Sequence, residues 1–502
     1  MTLCQTFDTL WFVISYTDFM AQTKRAIAGS NAASDPNYPR FHVAPPVGRL
    51  NDPNGLIVDN GVYHVFYQFG PFFPTGKLIA WGHATSSDLV NWTQHDPAIT
   101  PTDWFDRSGV YSGGAIQRGD VTWLHYTGNV KTDEGVREAY QCAVTTRDFK
   151  IFEKLAENPL ISGPPPGYTA HIRDPFVVPA GDGYVMYLGA QREDLSGAIL
   201  VYTSDDLENW ELSGELEVEG EGYEHFGYMW ECPNVLQLAD EATGEEFDVL
   251  LFSPQGIDAE DHQFRNIFAC GYVVGHLEGR HFTPISDFIE LDSGFEFYAP
   301  QVFTFGADED ATTPLLVGWV GNASEDNQPS LRDFGWVHML TTARDLTLRD
   351  GRIYQSPRLE RFVEPDTRVQ LAAGTAVEGD NLDFAELADQ RSFVLDLEVE
   401  GDDAWHITLG KPDGAHVRIS FDDDTMMVDR SSTHYPHGDR RGVTIPAAGT
   451  RNVKVVHDRS VTEIFVADGH TAFTMRSYLD RDGFRVQIGG KTTLVRAGAA
   501  IL

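Results

Sequence analysis

Between residues 38 and 354, short apolar runs with a central aromatic residue recur, separated by stretches rich in Gly, Pro, Asn and Asp. Five of them align: YHVFYQF (Tyr63 to Phe69), TWLHYTG (Thr122 to Gly128), YVMYLGA (Tyr184 to Ala190), DVLLFSPQG (Asp248 to Gly256) and PLLVGWVG (Pro314 to Gly321). Their central aromatics, Tyr67, Tyr126, Tyr187, Phe252 and Trp319, lie 59, 61, 65 and 67 residues apart. Ahead of each run stands a second segment that opens on small or turn-forming residues and then turns apolar, at Asp52 (DPNGLIV), Ser112 (SGGAI), Asp174 (DPFVV), Cys232 (CPNVLQL) and Ala299 (APQVF). A third element follows three of the runs, as SSDLVNW from Ser86, TRDFKIF from Thr146 and SDDLENW from Ser204. Units of about 60 residues, made of short strand-like runs without sustained helical periodicity, read as blades of antiparallel sheet. Five blades around a channel leave only short sheet edges open, so the pattern predicts a five-bladed β-propeller over residues 38–354.

Beyond Asp350 the pattern changes. Residues 355–366 read as a linker, and from 367 to 502 alternating runs such as FVLDLEV (Phe393 to Val399), HVRISF (His416 to Phe421) and EIFVADG (Glu463 to Gly469) predict a β-sandwich. The fold class is therefore all-β. The apolar run Leu10 to Tyr16 is flanked by Asp8 and Asp18, has no Lys or Arg before it, and is far too short to span a membrane. Residues 1–37 read as a loose tail, in part an artefact of a start at Met1 rather than Met20, and the protein as cytoplasmic.

Charge narrows the partners. With 37 Lys and Arg against 75 Asp and Glu, the net charge is −38, which repels phosphate backbones and anionic lipid; nucleic acid and membrane partners are not expected, and a small neutral ligand is. The four cysteines form no CxxC pair and no tight spacing with His, so reduced thiols are expected and no metal site or cofactor is indicated. Nothing in the chain speaks to oligomeric state.

In a propeller the segments that open each repeat line the channel, so acids at those openings converge. Asp52 in RLNDPNG, Asp174 in HIRDPF and Glu231 in MWECPN occupy three of the five, each followed within two residues by Pro. Convergent carboxylates suit glycosidic bond cleavage, where one acts ionised beneath the sugar and another delivers a proton to the leaving oxygen. Retention of configuration requires the pair to be about 5–5.5 Å apart. Met229, Trp230 and Cys232 are expected to desolvate Glu231 and favour its neutral form. Polar Asn51 and Asn54 are expected to keep Asp52 charged, and Arg173 to fix Asp174 or a substrate hydroxyl.

The motifs FHVAPPVGRLNDPNG, YHVFYQ, WGHATSSDLVNW, HIRDPF, GYMWECPNV, DVLLFSPQG, FEFYAPQVF and GRIYQSPRL follow in this order from Phe41 to about residue 365, and VHDRSVTEIFVADG extends the likeness to Gly469. Together they resemble glycoside hydrolase family 32, and within it the bacterial β-fructofuranosidases acting on sucrose or sucrose-6-phosphate. The resemblance implies a propeller followed by a β-sandwich, in agreement with the repeats. It further implies Asp52 as nucleophile, Glu231 as general acid/base and Asp174 as a stabiliser of fructose hydroxyls, with substrate contacts at Asn51, Gln68, Trp81, Tyr111, Ser112, Arg173 and Trp319. The implied reaction removes a terminal β-D-fructofuranosyl residue from sucrose, sucrose-6-phosphate or short fructo-oligosaccharides through a covalent fructosyl-Asp52 intermediate, resolved by water or an acceptor sugar. The alternatives are an inverting propeller glycosidase of arabinan or xylan and a propeller that binds sugar without cleaving it. Two positions depart from the family's pattern: Arg49 stands where Trp or an aliphatic residue is usual, and Gly70 and Pro71 replace Asn-Pro. Both edge the implied pocket, so sucrose and its 6-phosphate stay open at this point.

Overall fold

In the computed structural model, which describes residues 13–502 except 133, 221, 307–312, 360–367, 371–373 and 402, each of the five repeats forms its own sheet. The five central aromatics fall on the second strands, Val62–Gly70, Val121–Lys131, Gly183–Arg192, Glu246–Gln255 and Leu315–Val320, and all five are buried. The inner strands are Gly48–Asp59, the pair Gly109–Tyr111 and Ala115–Arg118, Tyr168–Ala180, Met229–Ala239 and Tyr298–Val302.

Every inner strand breaks its ladder at the repeat opening. Register slips between Leu50 and Pro53, Arg173 and Phe176, Glu231 and Asn234, and Tyr298 and Gln301. In the second blade pairing with the neighbouring strand lapses between Tyr111 and Ala115. Proline has no N–H to continue the ladder, so a bulge forms beside it. Asp174, Cys232 and Ala299, each directly before a proline, accordingly take left-handed φ values of 64°, 49° and 47°. In the second blade the opening needs glycine for another reason: a Cβ on Gly113 would lie 1.9 Å from the His125 carbonyl oxygen.

The third repeated element is a turn with one chemistry in all three copies. Ser86, Thr146 and Ser204 accept the backbone N–H groups two and three residues on, while Asp88, Asp148 and Asp206 cap the next two. The apolar residue after each Asp, Leu89, Phe149 or Leu207, has positive φ. Side-chain amides stitch the blades together. Asn234 donates to Pro300 O (3.1 Å), and Gln301 accepts from Leu56 N (3.1 Å) and donates to Gly113 O (2.9 Å). Thr304–Phe305 and Trp336–Val337 pair in parallel with the first blade's inner strand, which closes the ring through main-chain bonds.

The C-terminal domain is two half-sheets sharing one long strand, Arg485–Ile501. Its first half pairs with Trp405–Gly410 and Thr375–Asp383, and its second with Ser392–Glu400 and Arg368–Gln370. Inward residues of both halves, among them Leu395, Leu397, Ile407, Ile419, Val455 and Phe473, meet in one core. The last strand of the fifth blade runs Arg352–Pro357, so residues 355–357 of the expected linker belong to the propeller, and residues 360–367 lie outside the described residues.

The expectation of a loose tail over residues 1–37 needs correcting. A helix spans Tyr16–Ala28, capped by Ser15 and carrying Asp18 in its first turn and Arg25 in its last, each sign matched to its end of the helix dipole. It buries Phe19 and Met20 against Phe72, Leu78 and Ala80, an apolar patch too short to stand out in sequence. Residues 1–12, which include part of the apolar run and of the doubtful start, lie outside the described residues.

At the junction of the two domains lies a fully buried polar cluster. His42 bridges Asp458 (3.0 Å) and Glu463 (2.9 Å), and Arg344 joins Glu463 through Nε (2.9 Å) to Asp292 (3.0 Å). Burial opposes a charge on His42, but the two carboxylates overcome it and raise its pKa from 6.5 to about 9. Burial likewise opposes charge on Asp458 and Glu463, yet His42 for the first and Arg344 and His42 for the second lower both to about 2. The stability contributed by charged His42 is complete below pH 6.5 and is lost as pH rises through 9; that of the two acids is present above about pH 4.5 and is lost as pH falls through 2. His42→Asn should therefore lower the melting temperature at pH 6 and flatten its fall between pH 7 and 9, which thermal unfolding across that range will measure.

Candidate active site

The five inner-strand openings bring Asp52, Ser112, Asp174, Glu231 and Tyr298 around the channel mouth. Ser112 Oγ donates to Asp52 Oδ2 at 2.5 Å, and Gln68 Nε2 donates to the same oxygen at 3.0 Å. Asn51 Nδ2 donates to Asp52 Oδ1 (3.2 Å) and to Gln68 Oε1 (2.9 Å), which fixes the Gln68 amide with its nitrogen toward the acid. Glu231 takes three donors: Arg173 Nε on Oε1, and Gln255 Nε2 and Tyr298 Oη on Oε2, each at 2.6 Å. Asp174 Oδ2 accepts the Cys232 N–H at 3.1 Å, and the Asp174 N–H is held by Thr127 Oγ1 at 3.1 Å. Asp52 and Glu231 keep part of their surface open, while Asp174 is buried.

The family model described as glycosyl hydrolases family 32 N-terminal domain matches residues 42–357, and that described as glycosyl hydrolases family 32 C terminal matches residues 360–497. The chain belongs to glycoside hydrolase family 32. It is 35% identical over 456 residues to a probable sucrose-6-phosphate hydrolase of Psychromonas ingrahamii, covering 90% of this chain and 79% of that one. It is 41% identical over 330 residues to the sucrose-6-phosphate hydrolase of Bacillus subtilis, covering 65% and 66%. Among solved structures it is similar to a sucrose-6-phosphate hydrolase from Lactobacillus gasseri (TM-score 0.83, 28% identity, 98% of both chains). The Bombyx mori family 32 β-fructofuranosidase gives a TM-score of 0.80 at 29% identity, over 97% of this chain and 99% of that one.

Electrostatics in this family 32 site follow from packing three carboxylates together. Burial raises the pKa of Asp52, and the charge of Glu231 adds to it; Ser112, Asn51 and Arg49 pull the other way. Asp174 is pushed up from 3.8 to about 7, by burial first and then by Glu231 and Asp52, against Arg173 and the Cys232 N–H. The Cys232 thiol is held well above its ordinary range, by burial first and then by Asp174, so it stays protonated beside that acid.

Several sequence-based assignments change on this family 32 framework. Arg173 grips Glu231 rather than Asp174. Trp230 does not desolvate Glu231: it points to the opposite face, packs on Phe252 (4.5 Å between ring centroids) and donates its indole N–H to Phe226 O. Of the two donors expected for Asp52, Asn51 reaches it and Asn54 instead accepts the Gly113 N–H; Gln68 and Ser112 supply the rest, yet burial outweighs them. Trp81 is fully buried between the first two blades against Phe66 and Tyr126, with its N–H on Tyr111 O (3.0 Å), so it offers no face to a sugar. Asn51, Gln68 and Ser112 do converge on Asp52. Trp319 lies 6.4 Å from Tyr298 between ring centroids, with the Arg49 guanidinium 5.4 Å from its ring, and Tyr111 sits next to Ser112 at the rim. Tyr298 and Gln255 were missed as site residues. Tyr298 directly precedes the APQVF opening in the fifth repeat, and Gln255 ends the fourth central strand, so the repeat alignment alone pointed to both.

Ser112→Ala removes a donor that lowers the pKa of Asp52. For any reaction that needs Asp52 ionised, the acid limb of kcat/KM should move to higher pH by about one to two units, since such a bond is worth about 1.5–3 kcal/mol and one unit about 1.4 kcal/mol. A pH–rate profile of the variant against the wild type measures this.

Proposed function

We propose that this family 32 chain hydrolyses the β-D-fructofuranosyl bond of sucrose or its 6-phosphate with retention of configuration. The observation that carries the reading is the convergence of Asp52, Asp174 and Glu231 from three blades onto one mouth, with the first and last open to it. Asp52 attacks the anomeric carbon of fructose while Glu231 passes a proton to the departing oxygen, leaving a fructosyl ester on Asp52 and a free leaving sugar. Water enters where that sugar was, gives its proton back to Glu231, and displaces fructose from the ester. Asn51, Gln68 and Ser112 hold the Asp52 carboxylate in one orientation, so little reorganisation is needed as its charge is consumed. Among the described residues only Oδ2 of buried Asp174 takes a donor, which leaves Oδ1 to receive fructose hydroxyls.

Two relatives named for the 6-phosphate and a neighbour solved in complex with sucrose support the substrate class. An acceptor sugar in place of water gives transfructosylation. We further place the enzyme in the cytoplasm, a reading supported by Cys142, Cys232 and Cys270 being unpaired. Among the described residues no helix is long and apolar enough to cross a membrane.

Asp52→Ala and Glu231→Gln should each lower kcat for release of glucose or glucose 6-phosphate by about a thousandfold or more. Wild-type turnover in either variant removes these assignments. NMR during the first turnovers should show β-fructofuranose as the first product anomer, since an inverting enzyme would release the α form. At high sucrose concentration trisaccharides should accumulate, which chromatography of the products detects.

A further inference from the structure

On the function proposed above, the leaving sugar departs beside Glu231, so the side chains beyond that acid face it. Arg173 spans this region: its Nε holds Glu231 and its Nη1 donates to His171 Nδ1 at 3.0 Å. A guanidinium nitrogen can only donate, so Nδ1 is the acceptor and the imidazole carries its hydrogen on Nε2. Burial first, and then the charges of Arg173 and Arg137, lower the His171 pKa to about 4, which keeps the ring neutral. Its Nε2–H makes no hydrogen bond within the described residues.

Arg137 opens the strand Arg137–Thr146 and is half-buried, with its guanidinium 5.8 Å from the ring centroid of Tyr111, the neighbour of Ser112. It has no carboxylate partner among the described residues. The other rim cation is committed: Arg49 lies 2.8 Å from Asp326, which also takes His338 Nε2 at 3.0 Å, and it stacks over Trp319. In a chain of net charge −38, with three carboxylates at the mouth, a dianion entering that field needs a cation beside it that no carboxylate already neutralises.

We propose that Arg137, together with the Nε2–H of His171, binds a phosphate carried by the leaving sugar and so sets the preference for the phosphorylated substrate over sucrose. A guanidinium fork matches a phosphate edge with two parallel hydrogen bonds, and the imidazole adds a neutral donor that imposes no competing charge. Arg49, already neutralised by Asp326, serves the rim without distinguishing the two substrates.

The test compares kcat/KM for sucrose-6-phosphate and for sucrose in the full-length wild type, Arg137→Gln, Arg137→Lys and Arg49→Gln. The phosphate-to-sucrose ratio should exceed one in the wild type, fall about tenfold to a hundredfold in Arg137→Gln, and recover in part in Arg137→Lys. It should stay unchanged in Arg49→Gln, and inhibition by glucose 6-phosphate should weaken with the Arg137→Gln ratio. A merely structural role for Arg137 would lower both substrates together and leave the ratio intact, which overturns the proposal. So does a wild-type ratio of one or less, or a ratio that moves with Arg49 instead. A wild type that cleaves neither sugar overturns the function itself, an outcome distinct from these.

Discussion

Three carboxylates held at one partly buried mouth repel one another, and each loses hydration as the others approach. The site exists only because the fold surrounds them with enough donors to offset that cost. Asp52 takes a hydroxyl and two amides, Glu231 a guanidinium, an amide and a phenol, and Asp174 a backbone N–H. The compensation is unequal. Asp174, with the least help, is raised by burial and by the other two acids, and Asp52 is raised as well despite its three donors.

Those donors stay in place because the backbone that aims the acids also locks the blades. The breaks at the repeat openings, proline-linked in four blades and built on glycine in the second, interrupt each inner ladder, which turns a side chain toward the mouth and frees main-chain groups for other use. The Cys232 N–H that meets Asp174 comes from such a break, as does the Gly113 carbonyl that takes Gln301. Amide stitches and the parallel closure of the ring then fix the distance between neighbouring blades, and with it the spacing of acids carried by different sheets.

The sandwich contributes at one remove. Asp292 and Glu296 lie in the segment leading into the inner strand that carries Tyr298. Asp292 accepts from Arg344 and from Thr474 of the sandwich, and Glu296 from Arg430 and the Arg476 N–H. A buried ionic junction is a weak source of net stability, but it tolerates few alternative arrangements. Here it holds the approach to the phenol that contacts Glu231, a physical route by which the second domain positions a group in the first.

Much of this was legible along the chain. The blade repeat, the strands and the recurring Ser/Thr-x-Asp turn depend on local patterns of apolar, aromatic and turn residues, and these survive in the sequence because each blade must bury its own sheet. The acids at Asp52, Asp174 and Glu231 were legible for the same reason, as matched openings of a repeat. What lay beyond reach was which side chains meet. Strand alternation sent Trp230 away from its neighbour Glu231, close packing sealed Trp81 between blades, and a few apolar residues of the N-terminal helix found a patch far along the chain. Arg173 reaching an acid 58 residues away and Arg49 finding Asp326 are products of how blades face one another. Sequence by itself determined the repeating units and the chemistry each could offer; only the tertiary structure decided the pairings, because Ser112, Arg173, Tyr298 and the Cys232 N–H reach acids carried by other blades, which the chain order keeps apart.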